Sequence, residues 1–182
     1  MGLLGKSKID GDELKECLTY FEAQTKVIAF QTKEADTYNN AMVKYGNSIT
    51  ENPSAAEEAC KAAKRLSKAA MEVLRRHDEI KYVPSAASSV HYAWHVTLLA
   101  NATWASATAS AIEAMANGMT PSTRYVQQLV KEYQKAWQDA QAEDKKFLQR
   151  LKVNAEEIAK IVTRATTIND VADNNWEPRI TE

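Results

Sequence analysis

The sequence predicts an all-α protein, and three observations support this fold class. Glycine and proline are scarce, with five and four occurrences in 182 residues, so the chain has few breaks and can form long helices. Apolar residues recur at alternating steps of three and four, the repeat of helices that pack as in coiled coils. Capping signals stand where these periodic stretches begin and end. We therefore predict long antiparallel helices that form a four-helix bundle with coiled-coil-like packing.

The first predicted helix begins at Asp10, because Asp10 and Glu13 have the spacing of a capping box. Gly46 and Asn47 form a C-terminal capping signal that ends it. The stripe expected to face the core includes three polar positions and consists of Leu14, Leu18, Phe21, Thr25, Ile28, Thr32, Ala35, Asn39 and Met42.

The second predicted helix begins at Asn52 and Pro53, since Asn can cap a helix and proline in the first turn removes only a donor that had no partner. Its core stripe is mostly alanine, and such small side chains allow a neighbouring helix to approach closely. The stripe consists of Ala56, Ala59, Ala63, Leu66, Ala70, Val73, His77 and Ile80.

Pro84 interrupts this pattern and biases Val83 towards an extended conformation. Residues 81–85 contain neither Gly nor Asn, so a kink in one continuous helix is an alternative to a chain reversal. With a kink at Pro84, the chain would form three long helices, and residues 38–49 followed by a long kinked helix resemble the layout of BAR-domain dimers. This resemblance implies a peripheral protein on anionic membranes, although the near-neutral chain departs from the basic concave face of those domains.

The third predicted helix lies in a stretch from Tyr82 to Ile112 that contains no formally charged residue. Its histidines, asparagine and many hydroxyl groups make it too polar for a membrane span. A helix without charge on any face is typically surrounded by protein, either at the centre of a bundle or at a contact between chains. The side chains predicted to form such a contact are Trp94, Leu98, Trp104 and Ile112.

The last predicted helix follows a reversal at Asn117 and Gly118 and is capped at Thr120 and Pro121. Its three-four repeat predicts one unbroken helix over residues 126–172, across about six heptads. Asp144 and Asn154 are polar positions in this seam and are interpreted as devices that fix the helix register.

The chain is predicted to be one domain of residues 10–173, with a flexible leader at 1–9 and an irregular tail at 174–182. Cys17 and Cys60 lack the spacing of a zinc site or a disulfide framework, which is typical of a reducing compartment. The amino terminus has no apolar core of the signal-peptide type. A cytoplasmic location is therefore expected.

His91 and His95 lie four residues apart and can project from one helix face, where both could bind a transition metal. In a four-helix arrangement Asp144 falls at a similar height, which gives the hypothesis of a metal site formed by His91, His95 and Asp144. The competing interpretation is that the two histidines flank a polar-lined core. His77 is interpreted as a hydrogen-bonded packing residue.

The charge balance argues against nucleic-acid binding, because 23 Lys and Arg nearly cancel 24 Asp and Glu and no basic stripe stands out. No phosphate-binding loop or nucleophile elbow occurs, so we predict neither enzyme activity nor a cofactor. The leading hypothesis is an interaction or scaffold protein that acts through self-association, as a homodimer, or through a protein partner. A BAR-like membrane-binding dimer and a small-molecule or metal-binding bundle are the alternatives.

Overall fold

The structure is a computed structural model that describes residues 11–171, apart from the side chains of Glu34 and of residues 167–171. Within that range every regular element is a helix, which confirms the predicted all-α class. The predicted leader, the Asp10 half of the capping box and the tail lie outside the described residues. The five α-helices are α1 (Gly11–Tyr45), α2 (Pro53–Asp78), α3 (Ser88–Ala116), α4 (Thr123–Leu151) and α5 (Ala155–Val171), with short 3-10 turns at Gly46–Ser48 and Ser85–Ala87.

The start of α2 has the predicted capping chemistry. The Asn52 side chain accepts hydrogen bonds from the backbone N–H groups of Ser54 at 3.0 Å and Ala55 at 3.3 Å. Pro53 occupies the first turn, where its missing N–H costs nothing. Two backbone donors that would otherwise lack partners are thereby satisfied, and the prediction for this helix start is confirmed.

The predicted ends of α1 and α3 are also confirmed, because α1 stops at Tyr45 and α3 at Ala116, each directly before its Gly and Asn signal. Gly118 has a φ of 74°, a left-handed conformation that glycine adopts without steric cost. The predicted cap at Thr120 and Pro121 is wrong, since α4 begins only at Thr123. A residue before proline favours the extended region, and the reversal continues past Pro121.

The predicted unbroken last helix is interrupted after Leu151. Lys152 takes a left-handed conformation with a φ of 55°, which ends α4. The Asn154 side chain then accepts a hydrogen bond from the backbone N–H of Glu157 at 2.8 Å and caps α5. The heptad spacing passes through this break without a phase change, so periodicity alone did not reveal it. Asn154 acts as a helix cap and not as a register device.

Pro84 belongs to a connection between two packed helices. Residues 79–84 are not helical, and α3 lies back against α2. Side-chain bonds join the two helices at Lys64 with Glu113, Ser67 with Ser106, and Asp78 with His95. The continuous helix kinked at Pro84, on which the BAR-like alternative depends, is therefore not formed.

The helices pack in a simple order: α2 lies against α1 and α3, α3 lies against α2 and α4, and α5 packs on α1. The predicted alanine stripe of α2 is buried, with Ala59 at 0% and Ala63 at 1% exposure. Aromatic rings fill the space between α3 and α4, where the Trp94 and Trp137 rings meet edge to face with centroids 5.1 Å apart. Each such ring pair adds about 0.5–1.5 kcal/mol beyond the burial of its area.

The face that α1 turns to the core agrees with the predicted one only in part, since Phe21 is buried and Ala35 and Met42 pack against the core. Thr32 and Asn39, expected on the core stripe, are exposed, whereas Gln24 and Gln31 are buried. Part of the predicted stripe instead contributes to a cluster with α5. Besides Phe21, the buried residues of α1 keep a three-four spacing one position away from the predicted stripe, at Cys17, Tyr20, Gln24, Val27, Gln31 and Tyr38.

The Asn52 cap gives a stability prediction. The Asn52→Ala substitution removes the acceptor for two backbone N–H groups and should lower the free energy of unfolding by about 1 kcal/mol. Urea unfolding followed by circular dichroism measures this change. Asn40→Ala, at an exposed position within α1, is the matched control and should not destabilise the chain, since alanine has the higher helix propensity. Equal losses in both variants would contradict the capping role.

Candidate functional site

The three histidines of the chain converge where α2 ends and α3 begins. His77 lies in the last turn of α2, and His91 lies in the first turn of α3. Because α3 lies back against α2, the His77 and His91 rings stack, with centroids 4.2 Å apart and an interplanar angle of 13°. His95, one turn further along α3, contacts Asp78 next to His77, with 2.7 Å between His95 Nδ1 and Asp78 Oδ1.

The described residues include one group that could hold a metal ion, and its composition differs from the predicted set. His77, Asp78 and His95 offer three ligand atoms that all lie within 4.8 Å of one another, the only such group among the described residues. Of the predicted set of His91, His95 and Asp144, only His95 belongs to it. The physical reason is that successive residues point about 100° apart around a helix, so Trp94 faces Asp144 on α4 while His95 faces α2.

His77 is the most unusual member of this group. Its side chain is fully buried, and neither ring nitrogen has a hydrogen-bond partner. Burial, and after it the neighbouring His91, lowers the pKa of His77 to about 4. Burial also lowers the pKa of His91. Both rings are therefore neutral at pH 7, and each retains a nitrogen lone pair.

Asp144 is held by a network of polar side chains between α1, α3 and α4. The Trp94 indole N–H donates to Asp144 Oδ2 at 2.9 Å, and the Gln24 amide donates to Oδ1 at 3.2 Å. The Tyr20 hydroxyl donates to the Gln24 carbonyl oxygen and lies 3.2 Å from His91 Nδ1. The network thus extends from the Asp144 carboxylate to the histidine stack.

Sequence reasoning missed Tyr20 and Gln24. A glutamine among charged neighbours on a long helix is typically exposed, and Tyr20 lay outside the predicted stripe. A signal was present, since Tyr20, Gln24 and Val27 keep the three-four repeat. Recognising it requires accepting a polar residue at a core position.

The electrostatics of this network are set by burial. Burial raises the pKa of Asp144 to about 6, against the lowering effect of the hydrogen bonds from Trp94 and Gln24. Burial, and after it the charge of Asp144, raises the pKa of Tyr20. The Asp144 carboxylate is thus charged at pH 7, and the loss of solvent around this charge lowers the free energy of unfolding.

The residues predicted to form a contact between chains lie mainly in the core. Trp94, Leu98 and Ile112 are at most 5% exposed, and Trp104 is partly buried with its ring stacked on Tyr133. Trp94, Leu98 and Ile112 therefore belong to the core of the single chain, and Trp104 packs at its edge. The outward face of α3 is formed by other exposed residues before Glu113, namely Ser88, Ser89, Tyr92, Val96, Leu99, Thr103 and Ser110.

Comparison of the chain with known proteins found no match. No protein-family model matches the sequence, and the chain matches no curated protein and no solved structure. Among the helices described for residues 11–171, none combines the length and apolar character needed to cross a membrane. A functional proposal therefore rests on the residues of this chain.

The raised pKa of Asp144 gives a pH-dependent prediction. Below its ordinary pKa of 3.8 the group is neutral in the folded and unfolded chain, and its burial penalty develops as the pH rises towards 6. Asp144→Asn removes this charge, but its amide NH2 can only donate, so either the Trp94 or the Gln24 donor loses its acceptor, a loss that does not depend on pH. The gap in stability between variant and parent chain should therefore shift in favour of the variant by about 2 kcal/mol between pH 4 and pH 7.

Chemical unfolding of both chains at several pH values measures the gap directly. Titrations of groups that do not interact with Asp144 largely cancel in the difference between the two proteins. Asp139→Asn replaces an exposed carboxylate on the same helix and should show no gap that grows with pH. A constant gap for Asp144→Asn across the pH range would disprove the burial penalty.

Proposed function

We propose that this chain is a non-enzymatic helical-bundle protein that associates with a second copy of itself through the outward face of α3. In this proposal α1 to α4 form an antiparallel four-helix core with coiled-coil-like packing, and α5 lies on α1. The proposal places the protein in the cytoplasm, in keeping with its two free cysteines.

The observation that carries the proposal is a charge-free exposed stripe on α3. Between Ser88 and Ile112 the helix contains no formally charged residue, yet this face is open to solvent. Tyr92 is 69% exposed, Val96 38% and Leu99 49%. The exposed stripe follows a three-four repeat at Ser89, Tyr92, Val96, Leu99 and Thr103. This is the spacing with which one helix packs along another.

The binding partner that suits this exposed stripe is the same stripe on a second copy of the chain. In a two-fold contact the same surface patch meets itself, with residue i on residue j and j on i, and residues near the axis meet their own copies. A face of one charge sign would therefore repel itself, whereas a neutral one does not. Other surfaces of the chain are densely charged, with ion pairs such as Lys61 with Glu57 on α2 and Lys146 with Glu143 on α4. The stripe has apolar side chains at its centre and Ser and Thr towards its ends, the pattern of an interface core with a polar rim.

The size of the stripe sets the expected strength of association. From Ser88 to Ser110 the helix rises about 33 Å, and only its middle third is apolar. One helix face of this length buries less area than the large interfaces of permanent dimers. We therefore expect a reversible dimer with a dissociation constant in the micromolar range.

Sedimentation velocity over a range of loading concentrations tests this proposal. The parent chain should shift from monomer to dimer as concentration rises. Leu99→Glu places two like charges close together at the centre of a two-fold contact and should weaken dimerisation at least about tenfold. Because Leu99 is half exposed, the variant should keep the parent circular dichroism spectrum.

Val43→Glu is the matched control, since Val43 is an exposed apolar residue on α1, at 86% exposure. It should dimerise like the parent chain. Two outcomes would contradict the proposal: a parent chain that stays monomeric at every concentration, or dimerisation that Leu99→Glu leaves unchanged.

A further inference from the structure

The histidine cluster at the end of α2 carries a second inference, independent of self-association. We propose that His77, Asp78 and His95 bind one divalent transition-metal ion of the zinc type. Asp78 Oδ1 is the central atom of the group, 2.7 Å from His95 Nδ1 and 3.8 Å from His77 Nδ1. These separations bracket the distance of about 3.3 Å between neighbouring ligand atoms around a tetrahedral zinc ion.

The state of His77 is an independent observation that points to a ligand. A fully buried imidazole with two unpartnered nitrogens is a rare arrangement, because each buried polar group without a hydrogen bond costs free energy. His77 Nδ1 lies 3.8 Å from Asp78 Oδ1, so an ion bound to that oxygen would lie within reach of this nitrogen. A bound ion would give this nitrogen the partner that it lacks.

The donor set selects the class of ion. Two imidazole nitrogens and one carboxylate oxygen suit zinc and its neighbours in the first transition row, whereas calcium and magnesium prefer shells made of oxygen. Asp78 and His95 are partly exposed, so an ion can enter from solvent and water can complete its coordination. Binding would replace the hydrogen bond between Asp78 and His95 by two bonds to the ion.

The surroundings also suit a ligating role for His77. His91 stacks on the His77 ring and is itself in contact with Tyr20, so the His77 ring is held in a fixed plane. The ion would join the end of α2 to α3 across the non-helical residues 79–84.

Isothermal titration of the reduced, chelator-treated full chain with zinc chloride at neutral pH tests the site. We expect one zinc ion per chain and a rise in melting temperature on binding. Asp78→Asn and His95→Ala should each weaken zinc binding at least tenfold. Both side chains are partly exposed, so these variants should fold, and circular dichroism checks that they do.

Glu79→Gln is the matched control, since Glu79 is an exposed carboxylate next to Asp78 and lies outside the group. It should bind zinc within about twofold of the parent chain. Calcium and magnesium should not bind. Nitrogen-15 spectra of the histidine rings should show zinc-dependent shifts at His77 and His95, with a smaller change at His91.

Three outcomes would overturn the proposal. One is the absence of stoichiometric zinc binding by the parent chain. Another is binding that survives both Asp78→Asn and His95→Ala but is lost when the thiols are alkylated, which would assign the ion to cysteine. The third is a ring spectrum in which His91 and His95 shift and His77 does not.

Discussion

The partly buried Asp144 carboxylate makes the hydrogen bonds on which the arrangement of three helices depends. Its acceptor oxygens lie on α4, and its donors come from Gln24 on α1 and Trp94 on α3. A charged group in this position must be hydrogen-bonded, because an unsatisfied one would cost several kcal/mol. Apolar helix faces tolerate sliding by a turn, whereas two directed hydrogen bonds to one carboxylate do not. The register of α1 and α3 on α4 is thereby fixed.

The packing of the rest of the core depends on these hydrogen bonds to Asp144 and on the size of the side chains between the helices. Alanine along α2 allows α1 and α3 to approach it closely, while large aromatic rings separate α3 from α4. Small and large side chains thus occupy different sides of α3. A central helix with no charged side chain before Glu113 can contact both neighbours without burying an unpaired charge.

Much of the fold could be predicted from sequence where apolar spacing and capping residues agree. The alanine stripe of α2, the Asn52 cap and the end of α3 at Ala116 are of this kind. Prediction was wrong where a polar side chain had two possible roles. Asn154 was assigned to the seam and is a cap, and Gln24 belongs to a core stripe that was placed one position away.

The candidate metal site shows the same limit. Spacing along one helix identified His91 and His95 as residues that could act together, but the third ligand depends on how two helices meet. Asp78 follows His77 at the end of α2, and only the fold of residues 79–84 brings it beside His95. The exposed stripe of α3 was missed for a related reason, since a charge-free sequence does not reveal which of its faces is covered.

The break at Lys152 has a consequence for how the molecule opens. The α5 helix packs mainly on α1, where Arg164 pairs with Glu22, whereas α2 and α3 each lie between two neighbours. An element with one neighbour detaches at a lower free energy than the elements between two, so its amide hydrogens exchange with solvent sooner. Hydrogen exchange should therefore show lower protection in α5 than in α2 and α3, as local opening of α5 from an otherwise folded chain.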